Sequence, residues 1–285
     1  MALEKIKHQE WKTDQRTRFL GYFDILGFRN LVKNNTDEDL QKLYRENFIQ
    51  LVNVSASVGL YKTKHYIRDA DQMGMPKYKL ANVNSLMISD SIFFWTENDS
   101  IESLIEIIIA SQLLVGAAFP EGLPLRGCLT HGSVTFLSSA DISTSIINSA
   151  NTYFGEAIVN AYEQANTQDW SGCILDDNII NRGKQLSKLS SPNENVFDTL
   201  ISDGIITKYY PPLKNGKLES RYVINWTNWD AGNWSEQAIR IGFAMHKKKS
   251  DDWAIERKIR NTIEFYKDMV NPNFNHFGCS ENLVI

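Results

Sequence analysis

The chain has 285 residues, 42% hydrophobic and 22% charged, with a formal net charge of −4. This composition suits one large soluble domain, or a domain with an elaboration, and its acidic balance gives no general pull toward nucleic acid, so an anionic ligand must be bound locally. Cys128, Cys173 and Cys279 are too few and too scattered for a disulfide framework or a cysteine zinc site, and read as buried thiols.

Residues 1–16, rich in Lys, Gln and Glu, read as a peripheral lead-in with no signal-peptide core. Arg18 to Leu31 then organises the chain. Phe19, Leu20, Tyr22, Phe23 and Ile25 form a strand-like run carrying one acid, Asp24. An unpartnered carboxylate there is costly, so Asp24 should meet a cation or backbone amides. Gly27 permits a tight turn into a helix from Phe28, whose first N–H groups suit phosphate. A capping aspartate at a strand-to-helix turn is the plainer alternative.

A helix follows Asn34-Asn35-Thr36-Asp37, with Leu40, Leu43, Tyr44, Phe48, Leu51 and Val52 as its core stripe. Tyr61 to Lys79 reads as a loop. The next apolar run, Ser85 to Trp95, carries Asp90 between Ser89 and Ser91. Two strands that each hold one Asp suggest a carboxylate pair for hard cations, although Ser-Asp-Ser also suits a hairpin turn.

Asn98-Asp99-Ser100 and Glu102 signal the start of an apolar helix, Ile101 to Ala118, which Pro120 and Gly122 end. No apolar segment is expected to be long enough to cross a bilayer, which predicts a cytoplasmic protein without a membrane partner. Leu125 to Phe136 reads as a strand opened by Arg126, 138–152 as a polar linker, and Gly155 as the start of a helix. Gly172 to Leu175 is a strand, a polar region follows, Asn215-Gly216 marks a hairpin, and a helix from about Asp251 to Met269 closes the series. Lys247-Lys248-Lys249 reads as a solvated face, and His131 as satisfied core.

The predicted fold is α+β, a mixed or antiparallel sheet covered by helices on one face. In order and rough spacing, FDILGF, SDSIFFW, PLRGCLTHG and FGEAIVNAYEQA resemble class III nucleotide cyclases. With YPPLKNGKLESRYVINW added, the chain most resembles the stand-alone pyrimidine cyclases of bacterial Pycsar anti-phage defence, over about residues 17–230. The resemblance implies a ferredoxin-like palm with a core at 17–170, completed by C-terminal strands and a helix in 171–285.

It further implies that Asp24 and Asp90, with the Ile25 carbonyl, bind two Mg²⁺ or Mn²⁺ ions, and that the amides of Leu26, Gly27 and Phe28 take the triphosphate. Arg126 is a candidate to neutralise phosphate charge, or else a structural ion pair. A homodimer is implied, because the metal acids and the remaining groups of one site come from opposite protomers.

The departures are specific. The family's transition-state Asn and Arg fall on Val159 and Glu163, or in a shifted register on Asn160 and Gln164. Leu86 and Thr152 stand where adenylate cyclases read adenine. Leu86 cannot donate to adenine N1, so a pyrimidine is expected, CTP slightly ahead of UTP, with Tyr78 narrowing the pocket. The resemblance also implies activation during phage infection and a separate effector sensing the cyclic nucleotide. A purine cyclase and a non-catalytic nucleotide-sensing module stay open as alternatives.

Overall fold

The first strand reaches well beyond its apolar run. In the computed structural model, which describes residues 12–66, 83–141, 148–190, 195–228, 234–248, 252–271 and 273–274, β1 spans Lys12–Ile25. The expected lead-in is therefore strand from Lys12 onward; its first eleven residues lie outside the described set, as do Tyr78, Cys279 and Lys249. The length of β1 comes from its partner, β4 (Leu125–Asp141), which pairs with it antiparallel from Lys12↔Ser138 to Ile25↔Leu125.

Gly27 (φ 81) turns the chain into α1 (Phe28–Asn34), and Thr36 caps α2 (Asp37–Leu43) through a capping box with Asp39. A π-helical turn, Tyr44–Phe48, runs into α3 (Ile49–Tyr66), so the first six residues of the predicted loop are helical and the rest lie outside the described residues. The predicted stripe faces inward: Leu43, Phe48 and Val52 are buried, and Leu40, Tyr44 and Leu51 pack against the core. The run from Ser85 to Trp95 is a hairpin, β2 (Val83–Ile88) and β3 (Ser91–Thr96), with Asp90 in its two-residue turn.

Ser100 caps α4 (Ile101–Ala118) by accepting from the Ser103 amide. By length and composition α4 could cross a membrane (mean hydropathy 1.7), contrary to expectation, but 83% of it is buried inside the fold. The polar stretch predicted as a linker continues β4 and supplies β5 (Asn148–Phe154), which pairs with β4; Ser, Thr and Asn composition concealed the strand pair. Then follow α5 (Glu156–Thr167), β6 (Gly172–Leu175), α6 (Asp177–Ser190), α7 (Val196–Ser202), β7 (Ile206–Tyr209) and β8 (Arg221–Ile224). The elements α8 (Glu236–Ala244) and α9 (Trp253–Val270) come last.

Among the described residues the eight-stranded sheet runs β2-β3-β1-β4-β6-β8-β7, with β5 on β4, and only the β4–β6 pair is parallel. The fold is thus α+β on a mainly antiparallel sheet, and strands from beyond residue 170 extend that same sheet. The main helical layer, α3 and α4, covers one face. On the other, α5 sits over β1 and β4, where Ala157 packs on Gly132 and Tyr162 meets Tyr22 edge-on, with ring centroids 5.5 Å apart.

One lysine of the predicted solvated run is interior. Lys248 is 2% exposed, and its Nζ donates to the carbonyls of Gly122 and Gly242. Its methylene stem lies under Gly27. Burial pushes its amine down to about 7.

Two outcomes test this packing. A Cβ on Gly127 would lie 2.4 Å from Phe23 Cδ1 and 2.8 Å from the Tyr22 carbonyl, so Gly127→Ala should lower the thermal midpoint, costing about 2 kcal/mol. Because the unfolded chain holds the Lys248 proton more tightly than the folded one, urea resistance should rise from pH 7 to 9, and Lys248→Met should flatten that rise.

Candidate active site

The position of β1 between β3 and β4 gives Asp24 two neighbours at once. It is opposite Ser91 on one side and Arg126 on the other. The Ile25 amide donates to the Asp90 carbonyl at 3.1 Å, which brings the hairpin turn against the end of β1. Asp24 and Asp90, 66 residues apart in sequence, therefore meet at the strand-to-helix turn. The hairpin reading and the carboxylate-pair reading of Asp90 both hold as geometry: Asp90 is a turn residue, and the turn delivers it to Asp24.

Arg126, 6% exposed, lies against this pair. Its Nη2 donates to Asp24 Oδ2 at 2.8 Å and to Asn166 Oδ1 at 2.7 Å, and its Nη1 to the Gln168 carbonyl at 3.3 Å. Its Nε is buried without a partner. Burial raises the Asp24 carboxyl to about 6, the Arg126 charge opposes that, and the nearby Asp90 carboxyl adds to it. Asp24 and Asp90 share a half-buried space with the Arg126 guanidinium, and burial more than the repulsion between the acids favours a proton on Asp24.

The set of oxygen donors fits a hard divalent ion. Mg²⁺ takes one or two carboxylates plus water and substrate phosphate, and Asp24 and Asp90 could supply the carboxylates. No group of three or more His, Cys, Asp or Glu side chains suited to a metal occurs among the described residues, so further ligands would be water and phosphate.

The Leu26 amide, expected to be free for phosphate, donates to the Pro124 carbonyl at 2.9 Å. That corrects its predicted role and leaves Gly27 and Phe28 as the candidate phosphate amides of the three. Leu86 lies on β2 opposite Phe93, and Phe93 is opposite Tyr22; Thr152 lies on β5 opposite Leu137, which is opposite Thr13. Tyr22 and Thr13 are nine residues apart along β1, about 30 Å. One chain does not bring Leu86 and Thr152 together. Val159 and Glu163 are both exposed on α5.

Sequence reasoning missed several neighbours. The Tyr22 hydroxyl lies 3.2 Å from Ser91 Oγ, and Tyr44 Oη donates to the Ser89 carbonyl at 3.1 Å. Lys214 is near enough to Arg126, Lys258, Asp169 and Asp24 to feel their charges, and burial chiefly lowers its pKa. Tyr44 read only as part of the core stripe, and Lys214 precedes the Asn215-Gly216 turn signal without a signal of its own. His131 is half-buried beside Asp99, which Arg182 also pairs at 2.9 Å, so the ring belongs to a structural cluster away from Asp24.

No protein-family model and no curated protein matches this chain. Among solved structures it is similar to a bacterial light-regulated adenylyl cyclase, at 10% identity and a TM-score of 0.43 over 83% of this chain and 58% of that one. It is also similar to the adenylyl cyclase CyaB from P. aeruginosa, at 12% identity and 0.40, over 78% of this chain and 98% of that one. A third is the dimeric guanylyl cyclase domain of the RhoGC fusion protein from the aquatic fungus Blastocladiella emersonii, at 12% and 0.40, covering 75% and 98%. The chain thus spans little more than half of the light-regulated cyclase. At these identities and TM-scores the likenesses carry no assignment of chemistry, which rests on the residues.

The electrostatics can be measured directly. Asp24 should titrate near pH 6 by carboxyl NMR, and Arg126→Met should move it higher. The folded chain binds this proton more tightly than the unfolded one, so stability should fall as pH rises from 4 through 6, by roughly 1–3 kcal/mol in the ion-free protein.

Proposed function

We propose that this chain is a nucleotide cyclase acting on a pyrimidine nucleoside triphosphate, CTP ahead of UTP. The product is the 3′,5′-cyclic monophosphate, with pyrophosphate released. One observation carries the reading: β1 and the β2–β3 turn bring Asp24 and Asp90 together beside the N-terminus of α1, with Arg126 in contact. A carboxylate pair next to a helix start suits metal-assisted displacement at phosphorus better than it suits a purely structural turn, where two half-buried acids only cost stability.

In this reading Asp24, Asp90 and the Ile25 carbonyl hold two Mg²⁺ or Mn²⁺ ions. When bound, the ions supply charge neutralisation at phosphorus and a more acidic ribose 3′-hydroxyl. The 3′-oxygen forms its bond to the α-phosphorus as the bond to the bridging oxygen of pyrophosphate breaks, and the hydroxyl proton goes to solvent. The amides of Gly27 and Phe28 receive phosphate oxygens. Arg126, held beside Asp24 by Asn166 and the Gln168 carbonyl, would offset phosphate charge.

Base choice rests on Leu86, which offers no donor to a purine. The roughly 30 Å between the rows of Leu86 and Thr152 supports a homodimer, in which a second copy supplies what one chain keeps apart. Residues at the end of β5 and on the outer side of α5 fit that role: Phe154, Val159 and Tyr162 are each more than half exposed. A part in anti-phage signalling, cytoplasmic and acting through a separate effector that senses the cyclic nucleotide, follows from the sequence resemblance alone. The second reading, a nucleotide-sensing module without catalysis, draws on Glu163 where the family has its transition-state Arg.

The test is incubation of the purified chain with Mn²⁺ and each of ATP, GTP, CTP and UTP, with products identified by mass. Cyclic CMP or UMP should form and should fall ~100-fold or more in both Asp24→Ala and Asp90→Ala. Cyclic AMP or GMP would overturn the reading of Leu86. Nucleotide binding without any product would favour the sensing module.

A further inference from the structure

We infer that Tyr44 is a positioning residue: its hydroxyl, delivered by the π-helical turn, holds the Ser89–Asp90 peptide so that Asp90 faces Asp24. The inference rests on the reading of Asp24 and Asp90 as a cation site.

The geometry begins in the helix. Leu43, Phe48 and Val52 are all buried, at spacings of five and then four residues. A regular α-helix would swing Phe48 well away from the line of Leu43. The π turn over Tyr44–Phe48, closed by the Ile49 amide on the Tyr44 carbonyl, absorbs the extra residue and keeps all three in the core. The same turn aims Tyr44 at the hairpin. Its ring is braced edge-on by Phe48, with centroids 5.5 Å apart at 89°, and its hydroxyl donates to the Ser89 carbonyl at 3.1 Å.

That carbonyl belongs to the peptide leading into Asp90. Ser89 has φ 60, a left-handed value at the first of the two turn residues, where hairpins usually place glycine. A serine held there is strained, and an external hydrogen bond helps to hold it. The peptide following Asp90 is held from the other side, by the Ile25 amide on the Asp90 carbonyl at 3.1 Å. Asp90 is thus gripped before and after its Cα, once from β1 and once from the helical arm. Burial and then the Asp90 charge raise the Tyr44 hydroxyl above its ordinary value, so it stays a donor through the neutral range.

The expected effect follows from removing a support behind a ligand, which typically weakens metal affinity 10- to 100-fold. The full-length chain is titrated with Mn²⁺ alone and followed by electron paramagnetic resonance, comparing wild type, Tyr44→Phe and Asp90→Asn, with thermal midpoints recorded in parallel. The wild-type chain should take up Mn²⁺ and Asp90→Asn should lose it. Tyr44→Phe, which keeps the ring against Phe48, should need ~10-fold more Mn²⁺. Its melting without metal should stay near that of wild type, and excess Mn²⁺ should restore binding. Wild-type affinity in Tyr44→Phe overturns the inference and leaves the cation site standing. A loss of Mn²⁺ binding in Tyr44→Phe that matches its loss of thermal stability also overturns it, because the residue would then be structural only. A wild-type chain that takes up no Mn²⁺ overturns both.

Discussion

Two carboxylates facing one guanidinium at the edge of a half-buried space are what the rest of the molecule has to accommodate. Burial, with Asp90 adding to it, raises the Asp24 carboxyl, and the Arg126 guanidinium opposes that rise. Such an arrangement persists only where surrounding structure over-determines it. Here β1 sits between β3 and β4, so a single register fixes both the turn that carries Asp90 and the strand that carries Arg126. A slip of one residue would turn Asp24 into the Phe23 face of the core, so the pattern that buries the aromatic residues also aims the acid.

The guanidinium is held as firmly as the acids. Gln168, fully buried, accepts Arg126 on its carbonyl, donates from its side chain to the Gly127 carbonyl at 2.8 Å and accepts the Trp170 indole at 2.9 Å. Asp169, next along, pairs with Arg257 and Lys258 of α9. The last described helix is thereby tied through three consecutive residues to the strand behind the site. A C-terminal elaboration by sequence order is, in packing, part of the wall on which Arg126 rests.

What could be read from sequence followed from strong local signals. The strand ending in Asp24, the Gly27 turn, the Thr36 start, α4, β6 and α9 each have a periodic apolar run beside a capping or breaking residue, and each is found. The β4–β5 ribbon was illegible because its run of Ser, Thr and Asn carries no apolar alternation to mark it as strand. Lys248 was misread because a run of lysines is normally solvated, and only tertiary packing brings the Gly122 carbonyl to its amine. At the site, the two acids stood out as charges in apolar surroundings. Asn166, Gln168 and Tyr44 act through contacts across tens of residues, and no local pattern marks such contacts.

The burial of α4 has a consequence for how the chain is made. Almost every residue from Ser103 to Ala118 is interior, and the surfaces that cover it include β4, β6, β8 and α6, all later in the chain. As the protein leaves the ribosome, this greasy helix emerges with α3, β1, β2 and β3 already made but before the rest of its cover exists. At about 5–20 residues per second, the hundred or so residues needed to reach β8 take on the order of 5–20 seconds. During that interval the nascent chain displays a segment with membrane-like hydropathy, a natural ligand for chaperones. Any change that delays docking of the late strands prolongs that exposure, and would show as lower soluble yield while leaving the finished fold unaltered.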